Sequence, residues 1–147
     1  MRIFYTVLFV AILCVIATLN FSEQAQLDPG QDGVPFCNFQ EEPCRYNASW
    51  GQVNLTSSTN KVVSETEFQL FLDAIPGADF EIKSAFLQGR DMYMGKIPVF
   101  FNSQNESYRA DIMLGACTES QMVWRLNINV MIKQAPQTLL FDFVSYQ

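Results

Sequence analysis

Three sulfur-bearing side chains carry the softest chemistry in this sequence: Met92, Met94 and Cys117. Met92 and Met94 flank Tyr93 in Asp91-Met92-Tyr93-Met94-Gly95-Lys96. On an extended segment, residues two apart point to the same side. Thioether and thiolate sulfur are the ligands that select Cu(I). Met92 and Met94 are therefore candidate Cu(I) ligands, with Cys117 as a candidate third. The structural alternative is that both methionines plug one end of the fold and Cys117 is a small buried hydrophobe. Cys117 could also pair with Cys37 or Cys44.

Cys37 and Cys44 enclose a short loop, with Pro43 favouring a turn in it. A disulfide between them would staple that loop, adding about 2–3 kcal/mol by loop entropy. The competing readings are metal ligands or a redox pair, but the spacing is not the C-x-x-C of thioredoxin-like sites. The fourth cysteine, Cys14, lies in the hydrophobic start of the chain. Three cysteines then remain in an exported domain, an odd count that leaves a free thiol, an interchain bond or a metal ligand.

The sequence contains no histidine. That removes the usual general base, the Ser-His and Cys-His nucleophile pairs and the commonest zinc ligand. No enzyme motif is present, and the expectation is a non-enzyme. The formal net charge is −6 and the acidic groups are scattered. Without clustered Lys and Arg, a nucleic-acid partner is not expected. Asp73, Asp79 and Asp91 lie near turns, in no calcium-loop spacing. Asn47, Asn54 and Asn105 each begin an N-x-Ser/Thr sequon.

The elements that must position the sulfurs follow from periodicity. Residues 1–25 read as a signal peptide or N-terminal membrane anchor: Arg2 is followed by an uncharged apolar stretch from Ile3 to Leu19. Cleavage near Asn20 to Ala25 and retention as an anchor are both open. Residues 26–35 read as a linker containing Pro29, Gly30 and Gly33. Residues 36–147 form the domain. Period-two alternation marks strands over Trp50 to Leu55, Thr66 to Ala74, Phe80 to Leu87, Tyr108 to Leu114 and Met122 to Ile132, with a short apolar run over Ile97 to Phe101 and a closing segment over Leu139 to Val144. On the first face of the Phe80 segment stand Phe80, Ile82 and Phe86. Turns are expected at Pro76-Gly77, Gly89 to Gly95, Asn102 to Asn105 and Gly115 to Ser120. Trp50 and Trp124 are expected in the core. The fold class is all-β: an immunoglobulin-like antiparallel β-sandwich of about seven strands.

The run Gly89-Arg90-Asp91-Met92-Tyr93-Met94-Gly95-Lys96-Ile97-Pro98-Val99 is followed by Tyr108-Arg109-Ala110, then Cys117, then Met122-Val123-Trp124. Over roughly Cys37 to Ile132 this pattern resembles the YtkA-like and FixH-like group, small periplasmic or membrane-anchored bacterial proteins with a G-M-x-M-G turn between two strands. The Cys37 to Cys44 loop resembles a cysteine pair in some relatives. The resemblance implies an immunoglobulin-like domain and, by analogy, copper handling or an envelope protein partner in respiratory oxidase assembly. The sequence departs from that pattern in having no histidine and in carrying Arg90 where many relatives have Met or a small residue.

The expectation is thus an exported cell-envelope accessory or binding module. It would be periplasmic, soluble or tethered to the inner membrane by residues 3–19, handling Cu(I) through Met92, Met94 and Cys117. The alternatives are a structural or protein-interaction sandwich with no metal role, and a secreted lipid-binding sandwich with phenylalanines lining a cavity between the sheets.

Overall fold

The computed structural model describes residues 33–41, 43–74, 80–104 and 107–147. The expected leader, linker residues 26–32, Cys14, Pro76-Gly77, Asp79 and Asn105 with Glu106 of its sequon lie outside the described residues. Among the described residues no helix is long and apolar enough to cross a membrane.

Among the described residues eleven strands form two sheets: β1 (Phe36–Cys37), β2 (Cys44–Ala48), β3 (Gly51–Ser57), β4 (Val62–Val63), β5 (Glu67–Ala74), β6 (Phe80–Gly89), β7 (Lys96–Val99), β8 (Asn102–Gln104), β9 (Ser107–Met113), β10 (Gln121–Ile132) and β11 (Ala135–Tyr146). One sheet runs β1-β11-β10-β6-β7, with β4 also on β11, and the other runs β2-β3-β5-β9-β8. The pairings are antiparallel except for β1 and β4, which both run parallel to β11. This is the expected two-sheet sandwich, with more and shorter strands than the seven expected.

Alternation decides which side chains fill the interior. Met122, Trp124, Leu126, Ile128, Val130 and Ile132 of β10 are all buried, as are Phe68, Leu70 and Leu72 of β5. β11 adds Leu139, Phe141 and Phe143. The phenylalanines meet across the sheets: Phe68 of β5 packs edge-on to Phe143 of β11 at 6.3 Å. Trp124 donates its indole N–H to Ser145 Oγ at 3.0 Å, so the one polar atom of this large buried side chain is satisfied. Trp50 sits half-buried in a turn, its ring 6.3 Å from Phe80.

Two expectations need correction, and two stretches for which the sequence indicates no element form strand. In β6, Phe86 does not share a face with Phe80 and Ile82: Ala85 and Leu87 are the buried residues. Val130 pairs with Ile82 and Asn129 with Ser84, so Lys83 is an extra residue at a β-bulge. A bulge shifts the pleat by one and moves every later side chain to the other face. Asn102 to Gln104, expected as turn, forms β8 against β9. Its three residues are all exposed, so no apolar signal marks them. Cys44 to Ala48 forms an edge strand on β3, though its sequence is mostly polar. Residues 135–138 extend β11 before its apolar run begins.

Cys37 and Cys44 are joined by a disulfide, their Cα atoms 5.0 Å apart. Cys37 belongs to one sheet and Cys44 to the other. The bond therefore does more than close a loop: it ties the two sheets together along one open edge.

A sulfur pair at one end of the sandwich

The β6–β7 turn and the β9–β10 connection leave the sandwich at the same end. Each is anchored separately. Glu65 N–H donates to Leu114 O at 2.9 Å and Gln147 N–H to Ser120 O at 3.1 Å, which fixes the β9–β10 connection near both its limits. Arg90 N–H donates to Val123 O at 2.9 Å, carrying the β6–β10 ladder one step beyond the Gly89–Trp124 pair.

These anchors bring two of the three expected sulfurs together. The Cys117 thiol donates to the Met92 thioether, with Sγ and Sδ 3.7 Å apart. Cys117 is half-buried and makes no disulfide, and Met92 is 41% exposed. Met94 is half-buried and packs against the hydrophobic core. The extended-segment expectation that Met92 and Met94 point alike gives way to a turn whose two methionines differ in exposure. Tyr93, between them, is 89% exposed.

A further sulfur lies below this turn. Met122 is buried at the start of β10. A Cβ added at Gly89 would stand 2.0 Å from the Met92 carbonyl oxygen and 2.4 Å from Met122 Cε. Only glycine lets the turn close back onto β6 with the Met122 methyl beneath it.

Charge holds the base of the turn. Arg90 donates Nε to Asp91 Oδ1 at 2.8 Å and Nη2 to Asp91 Oδ2 at 3.0 Å. Its Nη1 is 3.5 Å from Asp142 Oδ2. Asp142 is fully buried and receives a second guanidinium, that of Arg125. The hydrogen bonds to Asp91, then the negative charges of Asp91 and Asp142, outweigh burial and raise the Arg90 pKa above its ordinary value. In the sequence Arg90 stands out only as a departure from the family pattern, Gly89 only as the start of a turn and Met122 only as a strand residue, while Asp142 and Arg125 carry no signal. Asp142 falls out of phase with the buried Phe141 and Phe143, and an Arg–Asp pair on neighbouring strands shows only once their register is fixed.

The donor set suits a soft ion. A thiol and a thioether are both soft donors, and the Met92–Cys117 pair brings one of each together. Among the described residues no three His, Cys, Asp or Glu side chains are grouped to hold a metal. An ion here would depend on methionine sulfur. Asp73 is exposed on β5. Asn47 is exposed on β2, whereas Asn54 is half-buried and accepts from Gln52 Nε2 at 3.1 Å.

No protein-family model and no curated protein matches the chain. Among solved structures it is similar to the crystal structure of a DUF4426 family protein from Pseudomonas aeruginosa PAO1, with TM-score 0.50 and 11% identity. The likeness covers 69% of this chain and 96% of that one. At that identity it bears on the fold alone, and it agrees with the two-sheet sandwich.

Proposed function

We propose that this chain is an exported cell-envelope module that binds Cu(I) at the end of its sandwich and passes it to, or receives it from, an envelope protein partner. The observation that supports this reading is the 3.7 Å contact between Cys117 Sγ and Met92 Sδ, beside the solvent-facing turn. Cys117 would supply the thiolate and Met92 a thioether. Met94 would be the third ligand, reached by rotation of a side chain that is flexible about three bonds. Binding at the thiol releases its proton, since the thiolate is the ligand. The residues do nothing catalytic in this scheme: they bind, orient and release. The module would be periplasmic, either free or tethered through residues 3–19.

The test is a Cu(I) competition titration on the purified full chain, with free thiols counted in the same sample. One equivalent should bind tightly, and Met92→Leu with Met94→Leu should abolish that binding without unfolding the domain. Unchanged uptake in the double variant sinks the site. No uptake by the native chain leaves the second reading, a protein-interaction sandwich. That reading is favoured by the exposed ring of Tyr93 and the exposed side chain of Met113. It predicts capture of a partner by the metal-free chain that Tyr93→Ser weakens.

A further inference from the structure

We propose that Arg90 is a positioning residue that holds the Met92 thioether against the Cys117 thiol by fixing the β6–β7 turn to a buried carboxylate. Its significance for metal binding rests on the reading above; its geometry does not.

The two sulfurs belong to segments that are anchored independently, so their contact depends on both anchors. The β9–β10 connection, which carries Cys117, is held by the backbone bonds at Leu114 and Ser120. The turn that carries Met92 has a different base. Among the described residues, its backbone bond to the sheet is that of Arg90 N–H to Val123 O. Met92 lies two residues further on, so the Arg90 side chain sets the direction in which the turn leaves.

That side chain is only 6% exposed and lies between two carboxylates. Asp91 closes a fork with it inside the turn itself. Asp142 holds it from the sheet. Asp142 cannot shift to follow a wandering turn. Its two oxygens take Arg125 Nε at 2.8 Å and Nη2 at 2.9 Å, and its own N–H donates to Pro35 O at 3.0 Å. A planar guanidinium can serve both carboxylates in fixed directions, whereas a lysine ammonium is a point charge on a flexible stem. Gly89 supplies the complementary condition, admitting the Met92 carbonyl close to β6. Arg90 and Gly89 together define where Met92 is placed.

The test compares Arg90→Met and Arg90→Lys with the native full chain. Ile128→Val, buried in the middle of β10, serves as a control for a general loss of stability. The readout is the rate at which iodoacetamide alkylates Cys117 under native conditions, followed by mass on the Cys117 peptide. Arg90→Met should raise that rate by about fivefold or more, because opening of the turn then governs access. Removing a cation would by itself disfavour the thiolate and slow the reaction, so a rise reports displacement of the turn rather than a change in field. Arg90→Lys should fall between. If Arg90→Met does not fold, Arg90→Lys carries the comparison alone. An unchanged rate overturns the proposal, as does an equal rise in Ile128→Val at a matched loss of melting temperature. Where the native chain binds Cu(I), Arg90→Leu, which unlike Arg90→Met adds no thioether, should weaken that binding by about tenfold, the effect of about 1.4 kcal/mol. Where it binds none, the metal reading fails and the alkylation rates still decide the role of Arg90.

Discussion

Arg125 and Asp142 face one another directly across the β10–β11 ladder, and their side chains close a two-bond fork, Nε to Oδ1 at 2.8 Å and Nη2 to Oδ2 at 2.9 Å. A carboxylate so deeply buried is held only as long as its cations stay. Removing one partner of a buried pair costs about 3–5 kcal/mol, because the remaining charge keeps its desolvation penalty. Asp142→Ala should therefore lower stability by about that amount in urea unfolding, with the Arg90 and Arg125 guanidiniums left crowded. A loss below about 1 kcal/mol would show that water reaches both arginines at once.

Gly89→Ala adds a single methyl where the Met92 carbonyl oxygen already stands. Backbone must move to admit it. The expected cost is about 1–3 kcal/mol, the range of overpacked interiors, and Cys117 should become more reactive as the turn lifts. A melting temperature and an alkylation rate both equal to those of the native chain would contradict this.

The β10–β11 hairpin turns through Lys133 and Gln134, both left-handed, with φ of 49° and 66°. Two positive φ values suit the two-residue turn that matches the twist of the strands, and Asn-Gly is the pair that adopts it with least strain. Lys133→Asn with Gln134→Gly should stabilise the chain by about 1 kcal/mol, since an L-residue with a bulky side chain is penalised there. Thermal melts of the native and double-variant chains decide it.

Asp111 accepts from Arg109 Nη2 at 2.9 Å and from Gln69 Nε2 at 2.9 Å. The Arg109 hydrogen bond, more than the Gln69 bond or the Arg109 charge, holds its pKa below the ordinary value of 3.8. A depressed carboxylate stabilises the fold above its unfolded pKa and loses that contribution as the pH falls through the lower, folded value. The stability gap between the native chain and Asp111→Asn should be flat from neutral pH down to about the ordinary carboxylate range and close only below it. Because the group is solvent-exposed the gap is small, and salt should narrow it. Arg90 runs the other way: its raised pKa keeps the contribution intact below the ordinary arginine value, and moderate alkali should leave the turn unchanged.

The fold was legible where one face alone is buried. β5 and β9 alternate without interruption, β10 does so from Trp124 onward after the buried Val123, and Phe68, Ala110 and Trp124 fall inward as their parity requires. It was illegible where the physics is not periodic. Lys83 inserts one residue and reverses the parity of β6. Lys133 and Gln134 make a tight turn without Asn or Gly, so nothing in the residues marks it. Asn102 to Gln104 pair through backbone alone, with no side chain to bury. For the sulfur pair, residue type pointed to Met92, Met94 and Cys117, but spacing could not say which would touch, because a turn and a separate connection had to be placed in space first. The carboxylate beneath the turn was hidden for the same reason: Asp142 and Arg90 are far apart in sequence, and β10 lies between their strands in the sheet.

The disulfide between Cys37 and Cys44 carries a mechanical consequence. Any pull applied from the N-terminal side of Pro35 reaches the domain first at β1, which lies parallel to β11. Parallel alignment loads those hydrogen bonds in shear, all at once, rather than peeling them one by one. Through the covalent bridge, part of the same load passes from Cys37 directly to Cys44 and so into β2 of the opposite sheet. The segment from Asn38 to Pro43 is short-circuited and carries no tension. A force that would otherwise strip one edge is thus shared by both layers, and the sulfur-bearing turn, set on β6 two strands inward from β11, lies off the line of pull.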